Sequence, residues 1–202
     1  MPQMFDRTLH DERASILLKQ ATAKKKSNDF DGAVDALNAA YVEIALSELG
    51  YPIETFIRLP QILHLAGKSR EAWKEFNKLL FRGFPNQAVD PSVMPMERSI
   101  LFDKMRLFLE REKQEKLAGI FSILSAVSWR VGLQRQGRLE ELAFAVSQDD
   151  YAEMAAALLD YSTPGVIKQL CITIAEGFRN LHSVDYDSLG SSIEAIIASA
   201  KQ

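Results

Sequence analysis

Of the 202 residues, one is a cysteine (Cys171) and three are histidines (His10, His64 and His182). A single thiol excludes an internal disulfide framework and a cysteine-rich zinc site. Three scattered histidines leave little material for a histidine metal site. Long apolar runs are also missing. The most apolar stretch, Leu117 to Trp129, has 13 residues and is interrupted by Ser122, Ser125 and Ser128. A membrane span needs about 20 apolar residues, so this stretch reads as a buried helix. The N-terminus lacks a basic region followed by an apolar one, so no secretory signal is expected and the cytoplasm is the expected location. Alternating runs of β-branched and aromatic residues are almost absent, which argues against sheet. No phosphate loop, dinucleotide fingerprint, zinc-protease helix or nucleophile elbow occurs.

What is present is the balance of a folded domain, 47% apolar and 25% charged, with a net charge of −3. Wholesale disorder is therefore excluded. The charge is uneven. Residues 1–136 carry 20 Lys and Arg against 17 Asp and Glu, and residues 137–202 carry 4 against 10. The basic excess of the first part is far below the footprint of a nucleic-acid binder.

Apolar residues recur three and four apart, and the chain reads as all-α. Helices are expected over about 8–27, 30–49, 52–66 and 69–82. Pro60 is expected to kink or break the third. A loop over 83–94 closes the first part. Residues 95–136 form one long helix, or two with a turn in the charged stretch Glu110 to Lys116. Shorter helices are expected over 138–147, 149–161, 164–182 and from Asp185 or Asp187 to about Ala200. The domains are expected to be 1–92 and 93–202.

Two segments repeat. Asn28 to Tyr41 and Gly67 to Leu80 share a polar turn, a small alanine (Ala33, Ala72) and matched apolar positions: Val34 with Trp73, Leu37 with Phe76, Ala40 with Leu79. Two antiparallel helices joined by a short turn approach closely only where a small residue sits at the crossing, and the apolar stripe then stacks on a neighbouring pair. This pattern resembles the tetratricopeptide repeat family over roughly residues 14–82. The period from Ala33 to Ala72 is 39 residues where the family uses 34. A divergent third pair over 96–136 lacks the turn glycine and the alanine signature.

The resemblance implies a non-catalytic scaffold that binds a protein or peptide on a surface lined by the first helix of each pair. It implies groove residues Ser15, Leu18, Thr22, Lys25 and Lys26 from helix 1, and Glu54, Ile57, Gln61, His64 and Leu65 from helix 3. The places where some family members clamp a C-terminal carboxylate hold Leu18 and Thr22, so that clamp is not expected. Self-association is an equal use of the same surface.

Other features have structural explanations. Lys24-Lys25-Lys26 is a basic helix C-terminus, favoured by the helix dipole; its alternative use is an acidic or nucleic-acid partner, which would make binding strongly salt-dependent. His64 has no second catalytic group at a defined spacing. Cys171 lies between Leu170 and Ile172 and reads as a small core residue. Asp149, Asp150 and Glu153 read as an acidic helix N-terminus, not a calcium loop. Phe81, Phe84 and Met94 could form an exposed patch beside the 83–94 loop. The expectation is therefore an adaptor without catalytic residues, metal or cofactor. Its alternatives are a nucleic-acid-associated regulator or an enzyme with scattered catalytic residues.

Overall fold

The computed structural model describes residues 3–47, 49–87, 90, 92–142, 164–179 and 184–199. These are all-helical, with no strand among the described residues. The helices are α1 (Gln3–Lys26), α2 (Phe30–Ser47), α3 (Ile53–Leu65), α4 (Ser69–Arg82), α5 (Met94–Arg111), α6 (Glu115–Arg135), α7 (Pro164–Arg179) and α8 (Tyr186–Ser199), with a 3-10 turn at Leu139–Leu142. The chain divides into two compact units, Met1–Ala88 and Val89–Gln202. α1 begins five residues before its expected start. The expected helix at 138–147 opens as the 3-10 turn; the rest of it and the helix at 149–161 lie outside the described residues.

In the first unit α1 packs along α2, α2 along α3, and α3 along α4. The α1–α2 and α3–α4 turns share one hydrogen-bond pattern. After α1, Asn28 N–H donates to the Lys25 carbonyl at 3.1 Å and Asp29 N–H to Lys24 at 2.9 Å. After α3, Gly67 N–H donates to His64 and Lys68 N–H to Leu63, both at 2.9 Å. Asn28 and Gly67 adopt positive φ (60° and 75°), the left-handed conformation this helix ending requires. Five residues after each, Ala33 and Ala72 are fully buried where the next helix crosses the last.

The same unit of geometry recurs between α5 and α6. Lys113 takes φ 58°, its N–H donates to Glu110 at 3.0 Å, and Gln114 N–H donates to Leu109 at 2.9 Å. Five residues on, Ala118 is 3% exposed. The expectation that this pair lacks the alanine signature is thus corrected: Ala118 supplies it, and a lysine stands at the turn position that glycine fills in the second pair. With a shift of 46 residues, five of the seven buried positions of α3 fall on buried positions of α5, while Ile57 and Pro60 fall on half-buried Asp103 and Arg106. Ile53 matches Ser99, Phe56 matches Phe102, Leu59 matches Met105, Ile62 matches Phe108 and Leu63 matches Leu109. Residues 94–135 are therefore a hairpin, turning inside the charged stretch.

The α5–α6 crossing is closed by serines. Ser99 Oγ donates to the Ser125 carbonyl at 2.7 Å, and Ser125 Oγ donates to the Ser99 carbonyl at 2.9 Å. A Cβ on Gly132 would lie 2.5 Å from Met96 Cγ, so glycine permits close approach there. α8 lies along α6, tied by Arg135 to Asp187 (2.8 Å), while Arg98 of α5 reaches Glu194 at 2.7 Å. Asp185 caps α8, accepting from the N–H groups of Asp187 and Ser188. α6 is long and apolar enough to cross a membrane by length and composition, but 56% of that stretch is buried inside the unit.

Two stability changes test this reading. Ala33→Leu or Ala118→Leu forces the helices apart and is expected to cost about 1–3 kcal/mol. Lys113→Gly relieves a side chain held at positive φ and is expected to stabilise by roughly 0.5–1 kcal/mol. Urea denaturation followed by circular dichroism reads both; equal effects of Gly at Lys113 and at its helical neighbour Arg111 would refute the turn assignment.

Candidate partner-binding surfaces

α3 decides which residues of the first unit face outward. Seven of its 13 residues, Ile53, Phe56, Ile57, Leu59, Pro60, Ile62 and Leu63, are buried. The remaining outward stripe is Glu54, Arg58, Gln61 and Leu65, at the spacing of one helical face. Ile57, expected in the groove, is 2% exposed and belongs to the core. Arg58 stands on the stripe in its stead. Its Nη2 donates to the Leu18 carbonyl at 3.0 Å and to Thr22 Oγ1 at 2.8 Å, joining α3 to α1. Tyr51 makes a second link through its hydroxyl to Asp11 Oδ1 at 3.3 Å.

Of the other expected groove residues, Ser15, Thr22, Lys25, Lys26, Glu54 and Leu65 are exposed, and Leu18, Gln61 and His64 are half-buried. The basic triplet is divided. Lys24 pairs with Asp29 at 2.8 Å and holds that carboxyl below the usual carboxylate range, leaving Lys25 and Lys26 as its exposed members. Lys68 pairs with Asp31 at 2.5 Å across the two hairpins. His10 Nδ1 lies 2.6 Å from Glu43 Oε2, tying α1 to α2.

The opposite face carries a feature the sequence reading did not find. Asn38, Tyr41, Val42, Ala45 and Leu46 form a continuous stripe along α2 and make one wall of an open trough of about 510 Å³. Phe56, Leu59 and Pro60 of α3 form its floor, and Glu75, Lys78 and Leu79 of α4 its other wall. Val42 and Leu46 are 60% and 54% exposed. The signal lay in α2 itself. Its apolar residues go round the helix, so those left over after packing the core must face water or a partner.

Pro60 lies inside α3 and on the trough without breaking the helix; of the kink or break expected there, the break does not occur. A proline has no N–H, so the Phe56 carbonyl four residues earlier loses its helical donor. The single O–H of Tyr41 offers a partial substitute: it donates to the Thr55 carbonyl at 2.8 Å, with the Phe56 carbonyl as a longer second acceptor at 3.2 Å. Burial pushes the ionisation of this hydroxyl well above its ordinary value of 10.0. The loop after α4 closes one end. Phe84 is buried, with its ring stacked 4.6 Å from Phe56. Asn86 Nδ2 donates to the carbonyls of Ile44 and Leu49 at the end of α2. Phe84 is thus not part of an exposed patch, whereas Phe81 is 75% exposed and Met94, in the second unit, 37%.

In the second unit, a cleft of about 140 Å³ is lined by Arg98, Arg135, Asp187 and Glu194, whose charges pair with one another. Among the described residues no three His, Cys, Asp or Glu side chains are grouped to hold a metal. Asp149, Asp150, Glu153 and His182 lie outside the described residues. No protein-family model, curated protein or solved structure gives a significant match to this chain.

Tyr41→Phe removes the O–H shared by the Thr55 and Phe56 carbonyls and is expected to cost about 1–2 kcal/mol. The raised ionisation of Tyr41 adds a pH signature. Its contribution is complete below the unfolded value near 10.0 and is lost as pH rises toward the folded one, because only the unfolded chain releases that proton. Stability should therefore fall more steeply above pH 10 in the parent than in Tyr41→Phe. Parallel urea titrations at rising pH read the difference, and identical slopes would refute it.

Proposed function

We propose that this chain is a non-catalytic, tetratricopeptide-like binding module that takes a protein or peptide partner. The observation that carries the reading is the open apolar trough on α2, α3 and α4, with Val42 and Leu46 more than half exposed on its rim. Contiguous exposed apolar surface at helical spacing is what a partner chain buries. The shared turn and buried alanine of the three hairpins support the helical-repeat architecture. The outward stripe of α3 beside α1, now with Arg58 in it, remains the alternative contact surface of the same module. Nucleic acid is the weaker reading, because Lys24 and Lys68 are engaged by Asp29 and Asp31 and residues 1–136 carry 20 Lys and Arg against 17 Asp and Glu, a small basic excess.

A photo-crosslinking amino acid placed at position 46, and separately at position 15, tests the proposal in nuclease-treated lysate of the source organism. A discrete protein adduct is expected, and Leu46→Asp or the pair Lys25→Glu and Lys26→Glu in the unlabelled chain should fail to compete for it. Adducts that disappear with nuclease, or no adduct at either position, would refute the binding-module reading.

A further inference from the structure

α1 carries a separate surface on the side turned away from α2. Its inward residues Ala14 and Ala21 are fully buried. Half a turn round the helix, Leu9, Glu12, Ile16, Lys19 and Ala23 follow one another at alternating steps of three and four, which is one stripe along a helical face. All five are exposed, and the large apolar members Leu9 and Ile16 are 42% and 54% exposed. Arg13 and Gln20 flank the stripe and are exposed as well. Among the described residues, no hydrogen bond or ion pair engages the side chains of Glu12, Arg13 or Lys19. None of these residues lines the trough.

The stripe complements itself when reversed. About Ile16, an acid stands four residues before and a base three residues after, with Leu9 seven before and the small Ala23 seven after. We infer that two copies of this chain pair through this face of α1, antiparallel, about a two-fold axis at Ile16. Ile16 then lies on Ile16 of the second copy, Leu9 on its Ala23, and Glu12 beside its Lys19, the last two contacts made twice by symmetry. A parallel copy would instead set Glu12 beside Glu12 and Lys19 beside Lys19, so the charges choose the direction. The apolar residues supply the affinity, and Ala23 leaves room for Leu9. One helix pair buries less than the roughly 800 Å² per partner of a standard interface, so the dimer is reversible and concentration-dependent. On the binding-module reading, it would give a partner with two matching segments the gain of divalent attachment.

Sedimentation equilibrium of the full chain over a range of concentrations tests this. A reversible monomer–dimer equilibrium is expected, and Ile16→Asp should abolish it. Glu12→Lys alone and Lys19→Glu alone should each weaken the dimer about tenfold, because each sets like charges against each other. The two substitutions shift the net charge in opposite directions, so a general charge effect would not weaken both. Combined in one chain they should restore the dimer. An equimolar mixture of the two single variants should also associate more tightly than either alone, since every acid then meets a base. All three positions are exposed, and circular dichroism verifies folding.

A chain that stays monomeric at every concentration would overturn the inference, as would a dimer indifferent to Ile16→Asp. Single charge reversals that leave the dimer unchanged, or that the double reversal fails to rescue, would refute the antiparallel pairing. A dimer that Leu46→Asp dissolves would place the contact on the trough instead and refute this face.

Discussion

The structure depends on how closely consecutive helices can approach just after a turn. A helix that ends with a residue at positive φ sends the chain back at a fixed angle. The fifth residue onward then points at the helix just completed. Ala33, Ala72 and Ala118 occupy that place, and each is buried. A larger side chain there would separate the pair along its whole length. Every other contact, from the Ser99–Ser125 clasp to the Arg58 link between α3 and α1, presumes that spacing.

The trough follows from the same arrangement. α2 packs against α1 on one side and α3 on another, using Ala33, Leu37, Ala40 and Ile44. A helix with apolar residues on further faces then has an apolar strip to spare. Val42, Ala45 and Leu46 are that strip, and α4 rises beyond α3 as the far wall. The loop after α4 gives the trough a stop, since Phe84 stacks on Phe56 and Asn86 holds the carbonyls at the end of α2. The concavity thus comes from α2, α3 and α4 together with the loop residues Gly83, Phe84 and Pro85.

The helical class, the first two turns and their alanines were legible from spacing alone, because small residues and breakers are rare and position-specific. The third turn falls in the charged stretch Glu110 to Lys116, one of the two alternatives the sequence offered, but its pattern was not legible, because Lys113 conceals a left-handed residue that only backbone geometry reveals. Ile57 was misplaced for a different reason. Resemblance assigned it to an inner groove, while α3 packs against both α2 and α4 and buries more than half its circumference. Arg58, one residue on, has the charge and length that outward positions carry, and the stripe of 54, 58, 61 and 65 could have been drawn from polarity. The trough was overlooked because excess apolar residues on α2 read as core when the neighbours of each face are unknown.

Pro60 and Tyr41 lie in different helices, yet each gives the other its meaning. The proline removes one backbone donor from α3, and the tyrosine hydroxyl, shared with the Thr55 carbonyl, replaces it in part from α2. Their effects on stability therefore cannot add. In a chain where position 60 regains an N–H, the Phe56 carbonyl has two candidate donors and the tyrosine hydroxyl matters less there, keeping its shorter bond to Thr55. Amino-acid exchange at one of these positions thus resets what the other tolerates. The floor of the trough is a place where sequence should drift in pairs.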